Sequence, residues 1–327
     1  MAYVLGIDGG ATKTEAILIS SDGRVIGVGR GGPSNYHAAG IEATRQGIAE
    51  AVAEAHAAAG VAAGPCAAAF LGLAGLVSPR DRAIIYALAR ELHLAPDDAI
   101  GIDHDCRIAL AGGLSGRPGI VQIAGTGSST FGVNAAGEAW RAGGWGQLLA
   151  DEGSGYWFGL RAMQSAVGAY DGRLGDTILL DRIQDALQLK DMNDIMQRLY
   201  FDGMGKREIA ALAPLVLDAA RAGDRIAREL VDEGMGHLAA CVDAVARRLK
   251  MTGAPVEIAL VGGLFQAEDV VVESFRATVA DYLGAFEVRT PELSPAAGAA
   301  LLALDMAGAE ASPAALRALR QRSTGEE

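Results

Sequence analysis

The sequence is poor in the residue types that mark several common protein classes. Aromatic residues make up 5% of the 327 residues, and only three cysteines occur. Cys66, Cys106 and Cys241 lie far apart and form no CxxC pair, so a structural zinc site or an iron–sulfur cluster within one chain is not supported. Isolated thiols suit a reducing compartment, and we therefore expect a cytoplasmic protein.

Long apolar runs and basic surfaces are also missing. No run reaches the length of a membrane span, and the N-terminus lacks a charged-then-apolar signal pattern, so we expect no membrane partner. The formal net charge is −12, and no basic stripe is visible that could neutralise a nucleic-acid backbone. We therefore expect no nucleic-acid partner.

Alanine and glycine are abundant instead. Half of the chain is apolar, much of it alanine, which predicts a core of small and aliphatic side chains. The length suffices for two domains of ordinary size. Strand patterns precede helical ones in two similar halves, which predicts an α/β fold.

The most informative stretch is residues 4–14, VLGIDGGATKT. An apolar strand delivers Asp8 to a turn in which Gly9 and Gly10 let a polyanion reach backbone N–H groups. Further donors follow at Thr12, Lys13 and Thr14. The stretch suits a nucleotide phosphate with a metal ion, although an ordinary hairpin turn is the alternative for this motif taken alone.

Two more glycine turns follow apolar strands. Residues 120–133, IVQIAGTGSSTFGV, contain the second turn, formed by Gly125, Thr126, Gly127 and Ser128. Strand, turn, strand, turn, strand thus occurs twice, a little over a hundred residues apart, which predicts a duplicated architecture whose two hairpins hold phosphates from opposite sides. The third turn, Gly262 and Gly263 after residues 256–261, would allow a flat ring or a sugar to approach closely.

The boundary between the halves is predicted at residues 114–119, LSGRPG, where glycine, serine and proline cluster. We expect an N-terminal lobe at 1–115 and a C-terminal lobe at 116–327. The C-terminal lobe contains a helical insertion at about 156–250, strands near 256–261 and 285–289, and a final alanine-rich helix from about residue 295. The polar tail after residue 320 is predicted to fray.

The three turns, in this order, resemble the phosphate-1, phosphate-2 and adenosine segments of the actin, hexokinase and Hsp70 ATPase superfamily. Three strings narrow the resemblance: PSNYH (33–37), DHDCRIALAGG (103–113) and GGWGQLLADEGSGYW (143–157). They resemble the N-acetylglucosamine kinases of the BadF/BadG/BcrA/BcrD-type ATPase family over about residues 4–303. The resemblance implies two ribonuclease H-like lobes that flank a nucleotide and sugar cleft, and a final helix that can pack back on the N-terminal lobe.

The resemblance also implies roles for individual residues. Asp105 would be the catalytic base that accepts the proton of the attacking sugar hydroxyl, although Asp103 competes for the role. Asp8 would hold Mg²⁺ through water. The three glycine turns would bind ATP. The implied sugar contacts are Asn35, Asp105, Thr126, Gly143, Gly144, Trp145, Asp151 and Glu152.

The implied activity is ATP-dependent phosphorylation of an amino sugar, with N-acetylglucosamine as the leading substrate and O6 as the acceptor. Glucosamine, muramic-type and glucose-like sugars stay open, and relatives suggest a homodimer. An alternative of another class is an ATPase that activates a redox enzyme. Such relatives hold an iron–sulfur cluster with close cysteines, which this sequence lacks.

Overall fold

The computed structural model of the protein describes residues 3–252 and 254–324. Its strands are β1 (Tyr3–Gly9), β2 (Thr14–Ser20), β3 (Val25–Gly31), β4 (Ala69–Leu73), β5 (Ile100–His104), β6 (Gly119–Ala124), β7 (Ser128–Val133), β8 (Ala139–Gly143), β9 (Val256–Val261) and β10 (Phe286–Arg289). Its helices are α1 (Tyr36–Ala39), α2 (Ile41–Ala59), α3 (Pro79–Glu91), α4 (Asp105–Gly113), α5 (Gly155–Tyr170), α6 (Leu179–Ala186), α7 (Lys206–Ala210), α8 (Ala213–Arg221), α9 (Arg225–Arg248), α10 (Glu273–Ala280), α11 (Pro295–Met306) and α12 (Pro313–Thr324).

The chain divides into two compact units. Unit 1 is Met1–Gly119 together with Arg289–Glu327, and unit 2 is Ile120–Val288. The chain therefore enters unit 2 once and returns to unit 1 for its last two helices. The functional lobes 1–115 and 116–327 stay a prediction.

Each unit contains one five-stranded sheet, and the two sheets repeat the same order. The order is β3-β2-β1-β4-β5 in unit 1 and β8-β7-β6-β9-β10 in unit 2. In unit 1, β1 is antiparallel to β2 and parallel to β4, which is parallel to β5. In unit 2, β6 is parallel to β9, and β7 is antiparallel to β8. The predicted α/β fold with a duplicated strand pattern is confirmed.

Strand alternation buries both faces of the sheet in unit 1. Leu5 and Ile7 belong to the apolar cluster that contains α2 and α3 residues, whereas Val4 belongs to the cluster formed with α11. Helix α11 approaches the sheet closely, since a Cβ on Gly6 would lie 2.2 Å from the backbone nitrogen of Ala300. The alanine-rich composition thus serves tight helix-on-sheet packing.

Local signals explain where several helices begin and end. Ser78 caps α3 in a capping box with Asp81, with Pro79 at the first helical position. Helix α2 ends at Gly60, which adopts a left-handed conformation with φ +67°. Helices α5 to α9 fill the predicted insertion, and within its described residues no strand interrupts them.

The C-terminal tail differs from the expectation. Helix α12 continues through Thr324, so the predicted fraying directly after residue 320 is wrong, while residues 325–327 lie outside the described part of the chain. The helix forms because Ser312 caps it, accepting the Ala315 N–H at 3.2 Å, and because Ala315 and Leu319 are buried. Among the residues that the structure describes, no helix combines the length and apolar character needed to cross a bilayer.

Candidate active site

The first glycine turn joins β1 to β2 at an edge where parallel strands end. The Gly10 N–H donates to the Lys13 carbonyl at 2.9 Å, which closes the turn, and Thr12 and Lys13 are exposed. The exposed part at 11–13 is therefore accessible to a ligand. Such carboxyl-terminal edges are where open α/β sheets bind ligands.

Two residues predicted for phosphate binding are buried in the support of this turn. Thr14 is fully buried, and its hydroxyl lies 2.7 Å from both the Gly32 carbonyl and Ser34 Oγ. A Cβ on Gly9 would lie 2.1 Å from a Leu73 side-chain carbon and 2.2 Å from Ser34 Oγ. Gly9 is thus required by packing, and Thr14 fastens the turn to the segment that leads to Asn35.

Asp8 and Asp105 lie at the same edge, close enough for their charges to interact. Burial, followed by the charges of Asp105 and Glu15, raises the pKa of Asp8 to about 7, with Lys13 acting in the opposite direction. A divalent cation would offset both the burial and the repulsion, and carboxylates are the ligands that Mg²⁺ prefers. Asp8 and Asp105 therefore fit a cation site.

The structure separates the two aspartates that compete for the role of base. Asp103 accepts a hydrogen bond from Arg82 Nη2 at 2.5 Å, in an ion pair. Asp105 is the first residue of α4, and its Oδ1 accepts the Cys106 N–H at 2.9 Å. The helix N-terminus stabilises a carboxylate there. Because Asp103 is already paired with the Arg82 guanidinium, Asp105 is the better candidate for the catalytic base.

Asn35 holds a buried acceptor that lacks a hydrogen-bond partner within the described residues, its Oδ1. The backbone N–H of Asn35 donates to the Gly10 carbonyl at 3.1 Å, so Asn35 is attached to the first turn. A Cβ on Gly75 would lie 2.8 Å from this Oδ1, and Gly75 has φ +88°. Buried acceptors are rarely left unsatisfied, so a ligand hydroxyl is a natural donor here.

The string that contains Asn35 is anchored to α3. The Tyr36 hydroxyl donates to Asp81 Oδ1, and His37 Nε2 lies 3.4 Å from the same carboxylate. The hydrogen bond from Tyr36 holds the pKa of Asp81 well below its usual range, although burial acts against this shift. Asp81 therefore caps α3 and also fixes the neighbourhood of Asn35.

In unit 2, the second glycine turn is held by the string DEGSGY (151–156). Gly125 accepts the Gly155 N–H at 2.7 Å, and Thr126 accepts the Tyr156 N–H at 3.1 Å. Ser128 donates its hydroxyl to the Glu152 carbonyl at 2.8 Å. Hydrogen bonds thus join the second glycine turn to the string at 151–156.

Asp151 is the most constrained residue of this string. Its side chain is 5% exposed and lies 2.6 Å from Lys206 Nζ, while its Oδ1 accepts the Ser128 N–H at 3.2 Å. It adopts φ +72°, a left-handed conformation that is unusual for a residue other than glycine. Sequence reasoning missed Lys206, because no local signal connects positions 55 residues apart.

The segment from the end of β8 onward is partly exposed. Gly143, Gly144 and Gly146 have φ of +69°, +70° and +84°, and Trp145 is 66% exposed. The Arg141 guanidinium lies 5.2 Å from the centre of a Trp145 ring. Trp145 is therefore a surface residue and not part of the core.

The third turn lies beside the second. A Cβ on Gly262 would lie 2.2 Å from the Ala124 carbonyl and 3.1 Å from the Gly125 nitrogen, and Gly262 has φ +119°. A 3-10 turn at Gly263–Gln266 and a π-helical turn at Glu268–Val272 follow Gly262 and come before α10. Unit 2 thus brings the second and third turns together, and unit 1 brings Asp8 close to Asp105 and attaches Asn35 to the first turn.

The chain is similar to known kinases of amino sugars. The N-acetylmuramic acid/N-acetylglucosamine kinase of Clostridium acetobutylicum is 34% identical over 276 residues, which cover 84% of this chain and 90% of the relative. The N-acetyl-D-glucosamine kinase of Dictyostelium discoideum is 27% identical over 311 residues, or 92% of this chain and 97% of the relative.

Solved structures give the same picture of the fold. A crystal structure described as an N-acetylglucosamine kinase from Chromobacterium violaceum is 31% identical, with a TM-score of 0.70 over 93% of this chain and 99% of that chain. A ROK family glucokinase from Streptomyces griseus, solved with glucose and AMPPNP, shares the fold with a TM-score of 0.54 at 18% identity and the same coverage. The model of the BadF/BadG/BcrA/BcrD ATPase family matches residues 5–303, across both units, and the chain therefore belongs to that family.

Proposed function

We propose that this protein is an ATP-dependent kinase that phosphorylates an amino sugar, with N-acetylglucosamine as the leading substrate. The observation that carries the proposal is the pair of carboxylates, Asp8 and Asp105, at the carboxyl-terminal edge of the parallel strands of unit 1. The names of the relatives supply the substrate class, which includes N-acetylglucosamine and N-acetylmuramic acid.

In this proposal Asp105 is the catalytic base. It accepts the proton of the sugar hydroxyl, taken to be O6, as the hydroxyl oxygen attacks the γ-phosphorus and the bond to ADP breaks. The Cys106 N–H fixes one carboxylate oxygen, Oδ1. Oδ2 is then the proposed proton acceptor.

Asp8 is the proposed ligand of Mg²⁺, through water. The bound ion would neutralise charge on the triphosphate. Gly10, Thr12 and Lys13 are the proposed phosphate contacts in unit 1, and Thr14 and Gly9 support them. In unit 2 the proposed nucleotide contacts are Gly125, Thr126, Gly127, Ser128, Gly262 and Gly263.

The proposed sugar contacts combine an amide, acids and an aromatic side chain. Asn35 offers its unsatisfied Oδ1 to a hydroxyl. The other proposed contacts are Asp105, Thr126, Gly143, Gly144, Trp145, Asp151 and Glu152. The protein is further proposed to act as a homodimer in the cytoplasm, where its three cysteines, all free thiols, suit a reducing environment.

A coupled assay of ADP release tests the function. The panel contains N-acetylglucosamine, glucosamine, N-acetylmuramic acid, glucose and no sugar, each with ATP and Mg²⁺. We expect release that depends on an amino sugar, and mass spectrometry of the product identifies the phosphorylated sugar. Equal ADP release with and without sugar would refute the kinase proposal and favour an ATPase of the activator type.

A further inference from the structure

The helical part of unit 2 sends one lysine to the second glycine turn. Lys206 is the first residue of α7, and its Nζ lies 2.6 Å from Asp151 Oδ2. The Lys206 side chain is 33% exposed and that of Asp151 is 5% exposed. The ion pair is thus partly shielded from water. In such a setting the electrostatic attraction is stronger than at an open surface.

Asp151 transmits this contact to the backbone of the turn. Its other oxygen, Oδ1, accepts the Ser128 N–H at 3.2 Å. A Cβ on Gly127 would lie 3.0 Å from the same oxygen, so the turn and the carboxylate pack closely. A single carboxylate therefore connects Lys206 to the proposed phosphate loop.

The conformation of Asp151 requires support from its surroundings. A φ of +72° is unfavourable for aspartate compared with glycine, and it persists only where neighbouring groups hold it. The Asp151 carbonyl accepts the Ser154 N–H at 3.2 Å, which closes the following turn. The contacts with Lys206 and with the Ser128 N–H restrict the orientation of the carboxylate.

Helix α7 is itself fixed against α5. A Cβ on Gly159 would lie 1.8 Å from the Ile209 carbonyl, and one on Gly155 would lie 3.4 Å from the Ala210 carbonyl. The helices can approach so closely at Gly159 only because that position is glycine, whereas the distance at Gly155 is an ordinary van der Waals contact. Lys206 therefore projects from a helix that is packed against the segment donating to Gly125.

We propose that Lys206 is a positioning residue for phosphoryl transfer, acting through Asp151 on the second glycine turn. This inference rests on the proposed function. A carboxylate has about four acceptor directions, and Lys206 and Ser128 use two of them, which leaves the others for sugar hydroxyls. Lys206 would thereby set the geometry for both the nucleotide and the sugar.

The test is steady-state kinetics of Lys206→Met, measured by ADP release at varied ATP and varied sugar. We expect kcat/KM to fall about 10- to 100-fold, with increased KM for both substrates, because small displacements of positioned groups reduce rates strongly. A purely structural loss would lower the active fraction and kcat while leaving both KM values unchanged. Lys190→Met, which removes an exposed lysine from the same helical segment, is the matched control and should behave as wild type.

A double-mutant cycle with Asp151→Asn decides whether Lys206 acts through Asp151. We expect Lys206→Met to add less than about threefold to the loss caused by Asp151→Asn, since coupled residues are not additive. Full additivity, or a Lys206→Met enzyme with wild-type constants, would overturn the inference. Should Lys206→Met not fold, Lys206→Gln, which keeps an N–H donor, is judged by the same criteria.

The outcome is separable from that of the proposed function. If the wild-type protein shows no sugar-dependent ADP release, the function fails. If the wild type is active and Lys206→Met has the same kinetic constants as the wild type, only the role of Lys206 fails.

Discussion

Unit 1 and unit 2 repeat one strand order around glycine turns, but they treat the polar groups beside those turns differently. In unit 1, burial and then like charges raise the pKa of Asp8 to about 7, and Asn35 Oδ1 has no partner among the described residues. In unit 2, Asp151 is matched by Lys206 and by the Ser128 N–H. Unit 1 thus has groups that a ligand would satisfy, whereas the turn of unit 2 is already assembled.

The strongest test of this contrast is a substitution of Asp105, the base proposed in unit 1. Asp105→Asn should keep ATP and sugar binding but lower kcat by on the order of 1000-fold, within the range that general bases contribute. Turnover by coupled ADP release and binding by calorimetry measure the two effects. Asp103→Asn is the matched control, because its partner is the surface residue Arg82 and its loss should change kcat by less than about threefold. Near-normal turnover of Asp105→Asn would remove Asp105 from the mechanism.

Gly75 tests whether the unsatisfied acceptor of unit 1 meets the sugar. Gly75→Ala would place a Cβ 2.8 Å from Asn35 Oδ1, so we expect the KM for the sugar to rise about 10-fold as Asn35 moves. The φ of +88° adds a stability loss of about 1 kcal/mol.

Gly60→Ala separates the two effects. Gly60 also has a positive φ, +67°, but a Cβ there meets nothing within 4 Å. The melting temperature of the Gly60→Ala variant should fall as it does in Gly75→Ala, while the KM for the sugar stays unchanged. An equal rise in KM in both variants would mean that backbone strain, and not contact with Asn35, is responsible.

The smallest expected effect is one of stability and pH. The folded pKa of Asp8, about 7, exceeds the unfolded value of about 4, so the folded state binds this proton more tightly. The resulting contribution to stability is full below about pH 4 and is lost as the pH rises through about 7. Asp8→Asn should therefore stabilise the nucleotide-free protein at pH 8, although it should impair activity.

We expect a gain of on the order of 1 kcal/mol, because partial exposure of Asp8 screens the shift well below 1.36 kcal/mol per pKa unit. Urea unfolding at pH 5 and pH 8, without Mg²⁺ or ATP, measures it. Asp22→Asn, at an exposed acid whose pKa is lowered chiefly by its hydrogen bond with Ser20, should give no such gain. In unit 2, Lys206→Met should have the opposite sign and destabilise the protein, since it leaves Asp151 buried without its cation. The same sign for Asp8→Asn and Lys206→Met would contradict the contrast between the units.

Local sequence signals predicted much of the fold. The start of α3 follows from Ser78, Pro79 and Asp81, whose cap groups lie within one turn of each other. The same serine–proline signal stands at Ser312 and Pro313, so α12 was predictable, although sequence reasoning missed it. The lesson is that a short capping signal outweighs a polar tail composition.

The roles within the candidate site were less predictable. The motif predicts Thr14 and Gly9 as phosphate contacts, yet both are buried by partners that lie 18 or more residues away in the chain. Asp103 and Asp105 are distinguished by Arg82, which α3 brings to Asp103, and by the place of Asp105 at the start of α4. Side-chain partners of this kind leave no pattern in the sequence.

The sequence by itself determined the α/β class, the two repeated hairpins and the positions of the three glycine turns, because glycine, capping residues and apolar periodicity act over a few residues. Only the tertiary structure decided that Asn35 retains an unsatisfied acceptor beside Gly75, that burial and the charge of Asp105 raise the pKa of Asp8, and that Lys206 reaches Asp151. Each of these depends on the distance and burial of groups far apart in the chain, and burial and charge proximity are properties of the packed molecule.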